Sequence, residues 1–151
     1  MTIKHNDDTD KIINNLKDQE DWYDNIEGLH SVTYVKLSDK EFSKEIITST
    51  LRKMKDLNFV NNLRFAKSFS RGKNRGNRWG KIKIRYELVG MGLNDEEITI
   101  GLDSIDSKMY KESLKKNIEI FRKKNKNDNK NKLIGHLARK GFEMNLILNY
   151  I

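Results

Sequence analysis

The chain has 151 residues, of which 36% are hydrophobic and 34% charged, with a net charge of +8 and neither Cys nor Pro. Absence of Cys excludes disulfide frameworks and thiolate metal sites. No apolar run approaches the roughly 20 residues of a membrane span, and the N-terminus lacks a secretory apolar region, so a cytoplasmic protein is expected.

Met1–Asp8 is polar. Thr9 or Asp10 can cap a helix carrying Ile12, Ile13 and Leu16, and Trp22, Tyr23, Ile26 and Leu29 keep an apolar face at helical spacing. Ser31–Lys36 is β-branched and locally strand-like, yet the repeat register described below makes it helical. Ser38 and Glu41 form a capping-box pattern that could open one continuous helix to Lys55. Phe42, Ile46, Ile47, Leu51 and Met54 mark a clear amphipathic helix. Leu57–Asn62 reads as a turn with Asn61 or Asn62 as the next cap, before a helix carrying Leu63, Phe65, Ala66 and Phe69. That helix ends near Arg71-Gly72, and a loop rich in Gly, Asn, Lys and Arg runs on to Trp79-Gly80.

From Gly80 to Leu102 the chain reads as helix, glycine break, helix. Ile84 and Leu88 lie one turn apart, and Gly92 suits the left-handed position that ends the first helix. Asn94 and Glu97 form a capping-box variant ahead of Ile98 and Leu102. Ile105 closes this helix, Asp106 or Ser107 caps another, and Met109, Leu114, Ile118 and Phe121 mark it. Lys123–Asn131 reads as a polar, mobile connection. A last helix pair follows.

Leu133, Leu137, Gly141, Phe142, Ile147 and Ile151 match Ile84, Leu88, Gly92, Leu93, Ile98 and Leu102 at a constant offset of 49. Leu37, Phe42, Ile47 and Leu51 give a weaker copy 51 residues upstream, with Glu41 in the glycine position. These offsets predict an all-α, elongated array of three tandem three-helix repeat units, the first degenerate. The units are residues 1–56, a divergent N-terminal unit; 57–105, the middle unit; and 106–151, the C-terminal unit. Gly92 and Gly141 are expected to be conformational requirements, costing about 1–2 kcal/mol or more on replacement by a β-branched residue.

The charge is uneven. Residues 64–85 hold nine basic side chains and no acidic one: Arg64, Lys67, Arg71, Lys73, Arg75, Arg78, Lys81, Lys83 and Arg85. Residues 1–63 net −3 and residues 86–151 net +2. Such a segment suits a polyanionic partner, although a solvated helix face is the plainer reading. Trp79 can stack on a base or pack on the next helix; packing is the commoner role. His5, His30 and His136 lack companions at metal-ligand spacing. Asp95, Glu96 and Glu97 fit a helix first turn, and Phe59, Phe65, Phe69 and Phe142 fit a core. No catalytic constellation occurs, and no enzyme, metal or cofactor is expected.

Residues 46–105 resemble the RecX (OraA) family of RecA regulators. The resemblance is carried by Leu57–Ala66, with Arg64-Phe65-Ala66 opening a helix, and by the basic, Gly-containing link after it. It continues in Gly80, Lys83-Ile84-Arg85, Glu87-Leu88 and Gly92-Leu93, and Leu137-Ala-Arg-Lys-Gly141-Phe142 is similar to the family's terminal Leu-x-x-Arg-Gly-Phe. Asn61 and Asn62 replace the family's paired acids. The resemblance implies a curved array of three-helix units acting as a monomer. It implies lodging in the groove of a RecA nucleoprotein filament on single-stranded DNA, weaker contact with duplex DNA, no membrane, and modulation, usually inhibition, of ATP hydrolysis and strand exchange. A general DNA-binding helical module is the alternative.

Overall fold

The computed structural model describes residues 37–38, 40–58, 60–127 and 129–151. The helices expected around Ile12–Leu16 and Trp22–Leu29, the Ser31–Lys36 segment, His5, His30 and Phe59 lie outside them. Among the described residues every regular element is helical. In chain order these are α1 (Lys44–Asp56), α2 (Asn62–Gly72), a π-helical turn (Lys73–Asn77), α3 (Lys81–Gly90), α4 (Asp95–Asp103), α5 (Ser107–Lys124), α6 (Lys130–Arg139) and α7 (Met144–Tyr150). None of these helices is long and apolar enough to cross a membrane. Contacts divide the chain into two compact units, residues 1–65 and 66–151.

In the first unit, Leu37, Ile47, Leu51, Met54 and Val60 are buried together, with Phe42 and Ile46 packed against them. The continuous helix expected from Ser38 does not form. Glu41 takes a left-handed φ of 61° and its N–H donates to the Ser38 carbonyl at 3.0 Å. Ser43 then caps α1, its side chain accepting from the Ile46 N–H.

In the second unit, α3 packs on α4, α5 on α6, and α6 on α7. Both sequence-matched helix pairs turn in the same way. Gly92 and Gly141 have φ of 87° and 96°. Leu93 N–H donates to the Leu88 carbonyl at 3.3 Å, and Phe142 N–H to the Leu137 carbonyl at 3.2 Å. Each turn is thus a Schellman motif with its hydrophobic pair buried. The Asn94–Glu97 capping box forms as expected, and Asp106 caps α5.

Four expectations need correction. On α5 Leu114 and Ile118 are buried as expected, but Tyr110 turns inward in place of Met109, which is half exposed. Phe65 and Phe69 are only half-buried, because α2 buries Ala66 and Ser70 instead. The Lys-rich connection is shorter than expected, since α5 runs to Lys124 and Asn129 already caps α6. The segment after Gly72 is not a loop but the π-helical turn.

Candidate functional site

The basic segment starts on α2, whose first turn is capped by Asn61, the side-chain oxygen accepting from the Arg64 N–H at 3.0 Å. The Arg64 guanidinium donates to the Asn58 carbonyl at 2.7 Å, while Lys67 and Arg71 lie exposed further along the helix. At Lys73 the helix widens into the π turn, which ends at Arg78 in the left-handed conformation with φ 55°.

This turn is fixed by amides. Asn74 is buried; its side chain donates to the Trp79 carbonyl at 2.9 Å, and its own carbonyl accepts from the Ser113 hydroxyl at 3.1 Å. Asn117, also buried, donates to the Arg78 carbonyl at 2.9 Å. A segment with no apolar residue before Trp79 is thereby held on α5 by three buried polar groups. Each would be costly if left unpaired.

The nine basic residues do not form one surface. Arg71, Arg75 and Arg78 border a cleft of about 490 Å³, closed on its far side by Ser104–Asp106, Met109, Glu112, Ser113 and Lys116. Guanidinium forks around a cleft suit bidentate contact with phosphate or carboxylate, although Asp106 and Glu112 temper the field. Lys73 and Lys83 point to Trp79, with ammonium nitrogens 5.0 and 4.5 Å from its ring centroid. Lys81 and Arg85 border a different, smaller cleft with Asp103 and Glu143. The Lys81 N–H donates to the Tyr110 hydroxyl at 2.9 Å, and that hydroxyl donates to Glu143 Oε2 at 2.7 Å. Burial above all raises the Tyr110 phenol far above its ordinary range, so it stays protonated.

Two cations outside the nine-residue basic set are Lys140 at the C-terminal cap of α6 and Lys124 at the end of α5. Their only sequence signal is a place in the last turn of a helix, where cations are ordinary. His136 packs on Phe121 with ring centroids 5.1 Å apart and the planes tilted by 37°. Partial burial and then Lys140, Arg139 and Lys124 hold its imidazole below the usual range. Among the described residues, no group of three or more His, Asp or Glu side chains is placed to hold a metal.

Helix pairs turned on left-handed glycines, followed by capped partners, define an all-helical protein among the described residues, one that carries a segment rich in basic side chains. The model for the second three-helix domain of RecX matches residues 61–102. The chain is 33% identical over 114 residues to the regulatory protein RecX of Prosthecochloris aestuarii, covering 74% of each. It is 30% identical over 119 residues to that of Chlorobium phaeobacteroides, again 74% of each. With the RecX of Clostridium acetobutylicum it shares 39% over 64 residues, a match spanning 29% of that protein. The chain belongs to the RecX regulatory protein family. Its fold is similar to the crystal structure of RecX from Lactobacillus salivarius, with a TM-score of 0.80 at 20% identity over 99% of this chain and 95% of that one. A second crystal structure of regulatory protein RecX gives 0.77 at 19% identity, covering 94% and 68%.

Proposed function

We propose that this chain binds the RecA filament on single-stranded DNA and modulates it, inhibiting ATP hydrolysis and strand exchange. The observation that carries this reading is the unbroken basic segment Arg64–Arg85, whose arginines 71, 75 and 78 a rigid turn gathers around one cleft. A nucleoprotein groove presents phosphates and acidic side chains together, and such a field supplies both affinity and association rate. The molecule is a binding protein in this reading, organised as the three units 1–56, 57–105 and 106–151, and works as a cytoplasmic monomer.

RecA ATPase on single-stranded DNA, with this protein titrated in, tests the reading. A saturable fall in rate is expected; an unchanged rate at excess protein overturns it. Replacing Arg71, Lys73 and Arg75 with Ala and Arg78 with Asn should weaken inhibition more than tenfold, given contacts of about 0.5–1 kcal/mol each. Asn is chosen at 78 because it tolerates the left-handed backbone that Ala does not. The loss should shrink as salt is raised, since screening already weakens the parent. Full inhibition by this variant would reduce the segment to a solvated face.

A further inference from the structure

Cations far apart in sequence meet where α3 begins and α6 ends. The Gly80 N–H donates to the Lys140 carbonyl at 2.7 Å, and the Ile82 N–H to the Gly141 carbonyl at 2.9 Å. Backbone contact this close brings side chains of both segments to one place. Lys140 Nζ reaches the Asn77 carbonyl at 3.5 Å, while Lys83 and Lys73 hold their ammoniums against Trp79. Burial first, then the charges of Lys83, Arg78 and Lys124, keep the Lys140 ammonium below its ordinary pKa. Among the described residues, none of Lys73, Arg78, Lys83, Lys124 and Lys140 pairs with a carboxylate.

Folding therefore brings like charges together, and among the described residues no carboxylate pairs with them. Exposed lysines that merely solvate a surface would spread apart, because repulsion at this range is unfavourable. The missing anion must be dense enough to answer several cations at once. A nucleic-acid strand meets that requirement, with one phosphate for about every 3.4 Å of each strand in a duplex. Carboxylates on a folded protein repel one another and rarely crowd so closely. The aromatic ring amid the ammoniums points the same way, since single strands are held by basic grooves that carry stacking faces.

We propose that Arg78, Lys83 and Lys140, with Lys73 and Trp79, form a site for the phosphodiester backbone of a single nucleic-acid strand. Phosphates draw the lysine ammoniums off the indole, and the freed ring face of Trp79 takes a base. This deepens the filament reading, resting on it for the polyanionic character of the partner, and names the nucleic-acid component as what this side of the molecule touches.

The test is anisotropy of a fluorescent oligothymidylate with the full chain and no RecA, repeated over a salt series. The parent should bind with a strong salt dependence. Lys83→Gln and Lys140→Gln should each weaken binding several-fold and flatten the slope of log K against log salt by about 0.7. Lys108→Gln, an equal charge change elsewhere on α5, should leave both nearly unchanged. Trp79→Leu should weaken binding where Trp79→Phe largely retains it. Inorganic phosphate should compete no better than sodium chloride of equal ionic strength. Thermal melts keep the comparison fair, because removing Lys140 relieves repulsion and its variant should melt no lower than the parent. Loss no greater than that of Lys108→Gln overturns the site. If the parent inhibits RecA yet ignores the oligonucleotide, the cluster meets protein carboxylates and only this inference fails. If it binds the oligonucleotide through these residues but leaves RecA unaffected, the filament reading fails and the site stands.

Discussion

Glu41 occupies the position that glycine holds at 92 and 141, and it adopts the same left-handed backbone with φ 61°. A glutamate there carries the Cβ strain that glycine avoids, about 1 kcal/mol. Glu41→Gly should accordingly raise stability by up to about 1 kcal/mol in urea denaturation, partly offset by the entropy glycine adds to the unfolded chain. Gly141 is stricter. A methyl on it would lie 2.4 Å from Lys83 Cβ, and one on Gly80 would lie 2.3 Å from the Gly141 carbonyl carbon. Gly80→Ala and Gly141→Ala should each cost roughly 3 kcal/mol or more, read as a fall in urea midpoint at constant slope. Tyr110→Phe strips the acceptor from the Lys81 N–H and the donor from Glu143, and should cost about 1–3 kcal/mol.

At the level of elements, the sequence disclosed what depends on local spacing. The Schellman turns, the Asn94–Glu97 box and the Asp106 cap all follow from residues within one turn of each other. Repeat register did more, since it places Glu41 in a turn that its own neighbourhood disguises as a helix start. What stayed hidden depends on partners distant in sequence. Lys73–Asn77 looks pliant because its residues are polar, and only Ser113 and Asn117, about 40 positions away, make it a rigid turn. The same residues explain why Tyr110 rather than Met109 is the inward residue of the first turn of α5. Ser113 and Asn117 share its buried face with Tyr110, so a search for apolar residues alone drifts to Met109. Asn117→Ala should cost about 1–3 kcal/mol and release the arginine-bearing turn. Amide exchange at Trp79, whose N–H donates to the Lys73 carbonyl at 3.2 Å, should then quicken selectively.

For the whole molecule, a half-buried histidine among cations makes stability depend on pH. The imidazole of His136 is held below its ordinary range, by burial first and then by Lys140, Arg139 and Lys124. The unfolded chain then binds the proton more readily than the folded one. This contribution is present above about pH 6.5 and is lost as pH falls toward the folded value. Melting temperature should decline on acidification, and His136→Gln should flatten that part of the profile. The unit spanning residues 66–151 also stands or falls together. Gly80, Lys81 and Ile82 at the start of α3 donate their N–H groups to Lys140, Tyr110 and Gly141, so a chain ending at 105 strips all three acceptors. Such a fragment should lose more helical circular dichroism than its missing residues account for.

That junction also bears on heredity. Tandem arrays ordinarily gain or shed copies by unequal exchange, each copy fitting any neighbour. Here Gly80 lies against the Gly141–Phe142 backbone and Gly141 against Lys83, and the two glycines are 61 residues apart, out of step with the 49-residue spacing of the copies. A duplicated or deleted segment would have to bring both glycines into place at once. The length of chain between these segments is therefore held by contacts too tight for a single methyl group.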